Sequence, residues 1–333
     1  MRFIWIFLIA CCVTSFSLYG KTWRFALVPK ETNNPFFIAT AEGCRVAAAE
    51  LGNVECLFRG HQHVDVRMQD KIISELLDEG VDGIAIAVTQ SEFLASRSVA
   101  KANRLGVPLI TYDADFSAAT LANNPQIRAA YVGSDNLAIG QALGEQLQRL
   151  RPNGGQLIIQ SGRPDSPNLN LRVMGIRMAL SGKQYSTPPG QALVGENGWR
   201  EFRAPMYNFG HNTNALIDLK TVLKLFDEQL VDAFVAVGGW AQLADAFSLT
   251  VAPYRSALKA NDMVLVIGDT SPQQMLFLDD GVTHANVGQN PFEMGKQTIN
   301  TLYRIANNLP YQRRLEIPLN FCDQLNFHTC LGN

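Results

Sequence analysis

The chain has 333 residues, with 28 Lys plus Arg against 30 Asp plus Glu, a formal charge of −2 and no polybasic run. That balance argues against nucleic acid or an anionic membrane as the main partner. Beyond a targeting segment roughly 310 residues remain, enough to bury two separate cores.

Met1-Arg2, the apolar run Phe3 to Val13 and a small, polar exit to Gly20 have the layout of a secretory signal peptide, expected over 1–20. The run is short for a membrane span. Leu8-Ile9-Ala10-Cys11 also reads as a lipoprotein processing box, placed unusually early, so a lipid anchor at Cys11 is the weaker alternative. The expected compartment is the periplasm.

Trp23 to Val28 reads as a short buried strand, followed by Lys30-Glu31-Thr32-Asn33-Asn34-Pro35-Phe36-Phe37. Phe37, Ala41, Cys44, Ala48 and Leu51 then recur at helical spacing. Asn34 suits a helix cap, and Pro35 suits the first helical position because it has no N–H to leave unpaired. This turn projects Lys30, Asn34, Phe36 and Phe37 from the carboxyl end of a strand, where ligands bind in open α/β sheets.

Val54 to Phe58 is the next strand, and Met68, Ile72, Ile73, Leu76 and Leu77 mark a second helix. Ile84 to Val88 is apolar at consecutive positions, as a strand covered on both faces must be. A helix from Glu92 to Leu105 and a strand from Pro108 to Tyr112 follow. Gly52, Gly80 and Gly106 repeat at spacings of 28 and 26 residues, the length of a βαβ step, which predicts a parallel, doubly wound sheet. Polar and small residues from Asp113 to Ile127 suggest a crossing between domains.

Periodicity resumes with a strand over Ala129 to Val132, a helix over Asn136 to Leu150, a strand over Gln156 to Gln160 and a helix containing Arg172 to Leu180. Residues 182–211 read as a long loop with one short strand near Ala192 to Gly195. A second α/β series follows: helix Asn214 to Leu230, strands Ala233 to Val237, Met263 to Ile267 and Ala285 to Gly288, and helix Pro291 to Asn307. The alternating tail from Arg313 to Asn326 fits an exposed edge or connecting strand. The expected division is 21–127 plus 290–317 for the first lobe and 128–289 plus 318–333 for the second.

No G-x-G-x-x-G follows a strand, and G-x-x-x-x-G-K-[ST] and G-x-S-x-G are absent, which removes the usual phosphate cradles and the nucleophile elbow. No carboxylate pair is singled out for acid–base work, so binding is expected rather than catalysis, with no cofactor. Cys44, Cys56, Cys322 and Cys330 remain after processing. Four cysteines permit three pairings, and Cys44–Cys56 with Cys322–Cys330 closes the shortest loops. With no C-x-x-C and five histidines, no metal site is expected.

A series of motifs resembles the ribose/galactose-type periplasmic sugar-binding proteins, which share the type I periplasmic binding protein fold. They are Ala26-Leu27-Val28 with Asn33 to Phe37, Glu79-Gly80-Val81-Asp82-Gly83-Ile84, Gly106-Val107-Pro108-Leu109-Ile110-Thr111-Tyr112-Asp113, Val132-Gly133-Ser134-Asp135-Asn136, Arg172 with Gly175, Gly268-Asp269, and Gly288-Gln289-Asn290-Pro291. The resemblance covers nearly all of residues 22–315. It implies two doubly wound lobes joined by a three-crossing hinge that close on a sugar, in a monomer that hands it to the permease of an ABC importer. The alternative is a sensor that presents a sugar or autoinducer to a membrane histidine kinase or chemoreceptor.

By alignment, the resemblance assigns ligand contacts to Lys30, Asn34, Phe36, Phe37, Asp113, Asp269 and Gln289. Aromatic faces suit the C–H faces of a sugar ring, and carboxylates and amides suit its hydroxyls. The chain departs from the ribose pattern at Ala114 and Asn170, where arginines are expected, and at Gly238-Gly239-Trp240, where an Asn-Asp pair is expected. Each lost partner is worth on the order of 1–3 kcal/mol, which disfavours ribose itself. The expectation is a larger or less conventional sugar, polyol or sugar-like signal met by Lys30, Asn170 and Trp240.

Overall fold

The computed structural model describes residues 21–330. The expected signal peptide and Cys11 lie outside that range. Among the described residues no helix is long and apolar enough to cross a membrane.

Two sheets organise the chain. The first half runs β1 (Trp23–Val28), α1 (Pro35–Leu51), β2 (Val54–Phe58), α2 (Val66–Asp78), β3 (Gly83–Ile86), α3 (Ser91–Ala95), α4 (Ser98–Leu105), β4 (Leu109–Tyr112), α5 (Ala118–Asn123) and β5 (Tyr131–Gly133). The second runs α6 (Asn136–Leu150), β6 (Gly155–Ser161), α7 (Pro167–Ser181), β7 (Trp199–Glu201), β8 (Met206–Tyr207), α8 (Asn212–Asp227), β9 (Ala233–Ala236), α9 (Phe247–Val251), α10 (Arg255–Lys259), β10 (Val264–Gly268), α11 (Pro272–Asp279) and β11 (Ala285–Gln289). The chain closes with α12 (Pro291–Ala306), β12 (Arg314–Glu316), β13 (Leu319–Asp323) and α13 (Phe327–Cys330).

The six-stranded sheet has the order β12-β5-β4-β3-β1-β2. The seven-stranded one has β13-β11-β10-β9-β6-β7, with β8 also on β6. Pairing is parallel except for β13 against β11. Helices cover both faces of each sheet, so β1, β3, β9 and β10 are almost wholly buried and apolar at consecutive positions, as parallel strands require.

The chain changes sheets after β5, after β11 and after β12. The crossing expected at 113–127 is not one: β5 pairs with β4 through Thr111↔Tyr131, so the first change of sheet comes after Gly133 rather than near 127. The polar composition of 113–127 reflects a surface excursion carrying α5. The helix expected over Glu92 to Leu105 is broken into α3 and α4 at Arg97, whose backbone is non-helical.

The long loop is more ordered than its composition suggests. Strands β7 and β8 add to β6, and the segment expected as a strand near Ala192 contributes an isolated bridge, Val194 to Arg200. What holds it is a buried bidentate pair, Arg177 Nε and Nη2 to Glu201 at 2.7 Å each, with Leu193 N–H donating to the same carboxylate.

Each lobe seats one helix pair by glycine. A Cβ on Gly43 or Gly295 would strike the backbone across the α1–α12 contact, and one on Gly140 or Gly175 would do so across α6–α7. The second contact carries Arg172 toward the mouth of its sheet. Both expected disulfides form: Cys44–Cys56 ties α1 to β2, and Cys322–Cys330 ties α13 to β13.

Candidate functional site

The carboxyl ends of the central strands of both sheets face one cleft. Lys30, Asn34, Phe36, Phe37 and Asp113 line it from the first lobe, Trp240 and Asp269 from the second, and Gln289 at the hinge. A contiguous pocket continues past Asn34, Phe36, Asp269 and Gln289 toward Thr270 and Gln274.

Asn34 caps α1: its side-chain oxygen accepts from Phe36 N–H at 3.0 Å, and its amide donates to Glu31 at 2.9 Å. The cap fixes the angle at which Phe36 enters the cleft, edge-on to Phe37 with centroids 5.2 Å apart. Phe37 is mostly core, buried against Tyr112. Lys30 reaches across the cleft, donating to Asn168 Oδ1 at 3.0 Å, and stands 3.8 Å from the Asp113 carboxylate. Burial lowers its pKa, and Asp113 works against that shift.

Asp113 and Asp269 both end a strand with a positive φ, 57° and 68°. That left-handed conformation turns the chain sharply out of the sheet, and Asp tolerates it better than most residues. The Asp113 carbonyl accepts from Tyr131 Oη at 3.0 Å and from the Asn136 amide at 3.4 Å. The Asp269 carbonyl accepts from the Asn286 amide at 2.8 Å, and its carboxylate accepts from Gly239 N–H at 2.9 Å. Burial raises the Asp269 pKa, with Arg172 opposing. Gln289 is buried, and its side-chain oxygen has no hydrogen-bond partner. A buried side-chain oxygen without a partner at the wall of the cleft is an acceptor offered to a ligand.

Trp240 lies over Gly238 and Gly162, where added Cβ atoms would come within 2.8 and 3.2 Å of Cη2, whereas Gly239 faces Gln274. The ring therefore fills the volume those glycines vacate, and the glycines do not by themselves enlarge the cleft.

Asn170 is not in the cleft. Its amide donates to Pro164 O at 2.8 Å, and Asn168 takes its place, with Arg172 one turn further along α7. The reason is helical phase: α7 begins at Pro167, residues four apart share a face, and a residue two along points to the other side. Arg172 donates to Asn136 and to Val237 O, both at 2.8 Å. Its place in the Arg172 with Gly175 motif was the available signal; Asn168 had none until the start of the helix was known.

Two sheets of doubly wound topology with the chain crossing three times between them, and strand tips meeting at a shared cleft, define a two-lobed binding protein. A family model described as periplasmic binding protein domain matches residues 25–310, and the chain belongs to that family. It is 24% identical to the D-allose-binding periplasmic protein of Escherichia coli, over 82% of this chain and 81% of that one. With the ribose import binding protein of the same organism the identity is 21% over 88% of each. The xylose/arabinose-binding protein of Sulfolobus acidocaldarius is 26% identical over half of this chain but only 42% of its own length. Matches to a D-ribose/D-allose-binding protein of Pseudomonas aeruginosa and a D-apiose import binding protein of Actinobacillus succinogenes likewise span under half of those proteins, 49% and 48%. Among solved structures, a solute binding protein of an Agrobacterium vitis ABC transporter, bound with α-D-tagatopyranose, superimposes with a TM-score of 0.79 at 18% identity, covering 91% of this chain and 95% of that one. A glucose-galactose binding protein from Geobacillus stearothermophilus does so at 0.76 and 22%, covering 92% and 99%. At these identities the structural likeness establishes the fold.

Proposed function

We propose that the protein is an exported, periplasmic solute-binding protein that closes its two lobes on a monosaccharide-sized sugar or polyol and delivers it to an ABC-type importer without chemical change. One observation carries this reading: acids from opposite lobes, Asp113 and Asp269, line the same cleft as the aromatic faces of Phe36 and Trp240 and the unpaired acceptor of Gln289. Ring faces resting on aromatics, with hydroxyls donating to carboxylates, is the chemistry such a cleft suits. The relatives' sugar-binding names support the same class of ligand. Lys30 bridging to Asn168 supplies a contact that closure would form and opening would break.

The test is a thermal-shift screen of the mature protein against D-ribose, D-allose, D-galactose, D-arabinose, D-tagatose and linear polyols. A ligand at a hundred times its dissociation constant stabilises by about 2.7 kcal/mol. The expected outcome is a saturable shift for one subset, with the sugar recovered intact after prolonged incubation. Absence of any shift across the panel, or conversion of the sugar, overturns the reading.

A further inference from the structure

Beneath the second-lobe half of the cleft lies a lattice of neutral side chains, all fully buried, that the binding reading does not use: Gln242, Gln274, Thr283 and Asn286. They come from three places, the turn after β9, helix α11 and the segment leading through β11. Gln274 Nε2 donates to Gln242 Oε1 at 2.7 Å and to Gly268 O at 2.9 Å. Asn286 Nδ2 donates to the same Gln242 oxygen at 3.1 Å and to Asp269 O at 2.8 Å. Gln274 Oε1 accepts from Ser271 N–H at 2.9 Å, tying the lattice to the start of α11.

Two features make this more than core packing. Asp269 holds a positive φ, and the peptide oxygens on either side of that turn, of Gly268 and Asp269, are both gripped by this lattice. The turn carrying Trp240 is gripped as well. Gly239 N–H donates to the Asp269 carboxylate, and an added Cβ on Gly239 would lie 2.7 Å from Gln274 Nε2, so the turn is pressed onto the amide below it. Gln242 follows Trp240 by two residues and accepts from both other amides. Apolar replacements would pack the same volume and specify no direction, whereas shared acceptors fix three backbone segments relative to one another.

We propose that Gln242, Gln274 and Asn286 are positioning residues that jointly set the pose of Asp269 and of the Trp240 turn, so that the ligand selectivity of the second lobe is determined from beneath the cleft. The inference rests on Asp269 and Trp240 meeting the ligand. Its test reads the ligand-free protein, which separates its failure from failure of the sugar reading.

The protein is labelled with 5-fluorotryptophan and its resonance at position 240 is assigned with Trp240→Phe. The Asp269 carboxyl is titrated by carbon-13 NMR, assigned with Asp269→Asn. Asn286→Leu keeps the side-chain size but removes the donor to the Asp269 carbonyl. The expected result is a displaced or broadened Trp240 resonance and an Asp269 midpoint that falls toward the ordinary carboxylate range, with the Trp23 and Trp199 signals unmoved. If the melting temperature drops while both reporters stay where they are in the parent, the lattice is merely structural and the proposal is overturned. Should Asn286→Leu fail to fold, Gln242→Met removes the shared acceptor and is read in the same way, with the same two outcomes.

Discussion

The two halves of the cleft share a frame and differ in furnishing. In each, an acid ends a central strand with its backbone in the left-handed region and its carbonyl clasped by a side chain. In the first lobe the clasp comes from Tyr131 and Asn136, at the crossing itself, and Asn136 is in turn held by Arg172, so Asp113 is wired to the hinge. In the second lobe the clasp is Asn286, anchored within its own lobe. Asp113 has a cation beside it in Lys30, while the Asp269 carboxylate has a backbone N–H. A duplicated architecture thus sets where the acids stand, and unrelated neighbours set what each acid is. The first half sets Lys30 3.8 Å from its acid; the second surrounds its acid with a backbone N–H, neutral amides and one large ring, with Arg172 as the cation on its side of the cleft.

Removing the charge match gives the largest expected effect. With Asp113→Ala, Lys30 retains Asn168 but loses its carboxylate in a buried setting. Truncating one member of such a pair at an interface costs about 2–5 kcal/mol. A fall in sugar affinity of about a hundredfold or more by isothermal titration is expected. Affinity within about threefold of the parent would remove Asp113 from the binding half of the comparison.

The disulfides sharpen the same contrast on the side of stability. Cys44 is fully buried in the first-lobe core, and its bridge spans a sequence separation of 12; Cys322–Cys330 spans 8 and holds a terminal helix to an edge strand. Loop-closure entropy alone gives about 3 kcal/mol for a bridge of this size. Cys44→Ala with Cys56→Ala is expected to lower the calorimetric transition of the first lobe. Cys322→Ala with Cys330→Ala should instead release α13 while leaving the main transition nearly in place. Equal losses from the two pairs would show that the C-terminal clasp supports the lobe as a whole.

Trp240→Ala comes next. It opens a void over Gly162 and Gly238 and removes a stacking face, and aromatic truncation of this kind should weaken binding by about 1–3 kcal/mol. The sharper expectation concerns selectivity, with bulkier sugars losing less affinity than small ones. If every sugar in the panel loses affinity equally, the ring is a wall rather than a gauge.

The sequence made the frame legible because parallel strands buried on both faces must be continuously apolar, and because Gly52, Gly80 and Gly106 punctuate equal βαβ steps. The strand-end position of Lys30 followed from the same pattern, whereas the ligand roles of Asp113, Asp269 and Gln289 came from the family resemblance. What escaped depended on phase or on distant partners. Asn170 was placed by the ribose pattern, whereas the phase of a helix that begins at Pro167 turns Asn168 to the cleft, and a shift of two positions reverses a helix face. The order in 182–201 depends on Arg177 meeting Glu201, a contact between residues 24 apart that no local pattern announces. The break at Arg97 and the short helices α9, α10 and α11 follow tertiary packing rather than periodicity. The first change of sheet was misplaced because polar composition resembles a linker wherever the chain runs along the surface.

The smallest expected effect isolates the acid whose carboxylate is held by a backbone N–H. Burial raises the Asp269 pKa above its unfolded value of 3.8, so the folded state holds this proton more tightly than the unfolded chain. Its contribution to stability is then complete below pH 3.8 and is lost as pH rises through the folded pKa, leaving a buried carboxylate as a net cost near neutrality. Asp269→Asn removes that cost. The ligand-free variant should be more stable than the parent at pH 7, by on the order of 1 kcal/mol or less, and the advantage should vanish as urea melts are carried below pH 3.8. Sugar affinity should fall in the same variant, because an amide offers one neutral accepting oxygen where a carboxylate offers two that carry charge. At Asp113 the geometry points the other way: Asp113→Asn strips Lys30 of the carboxylate 3.8 Å away and should lower stability at pH 7. Equal stability changes at pH 7 for the two asparagine variants would erase the distinction between an acid beside Lys30 and one held by a backbone N–H.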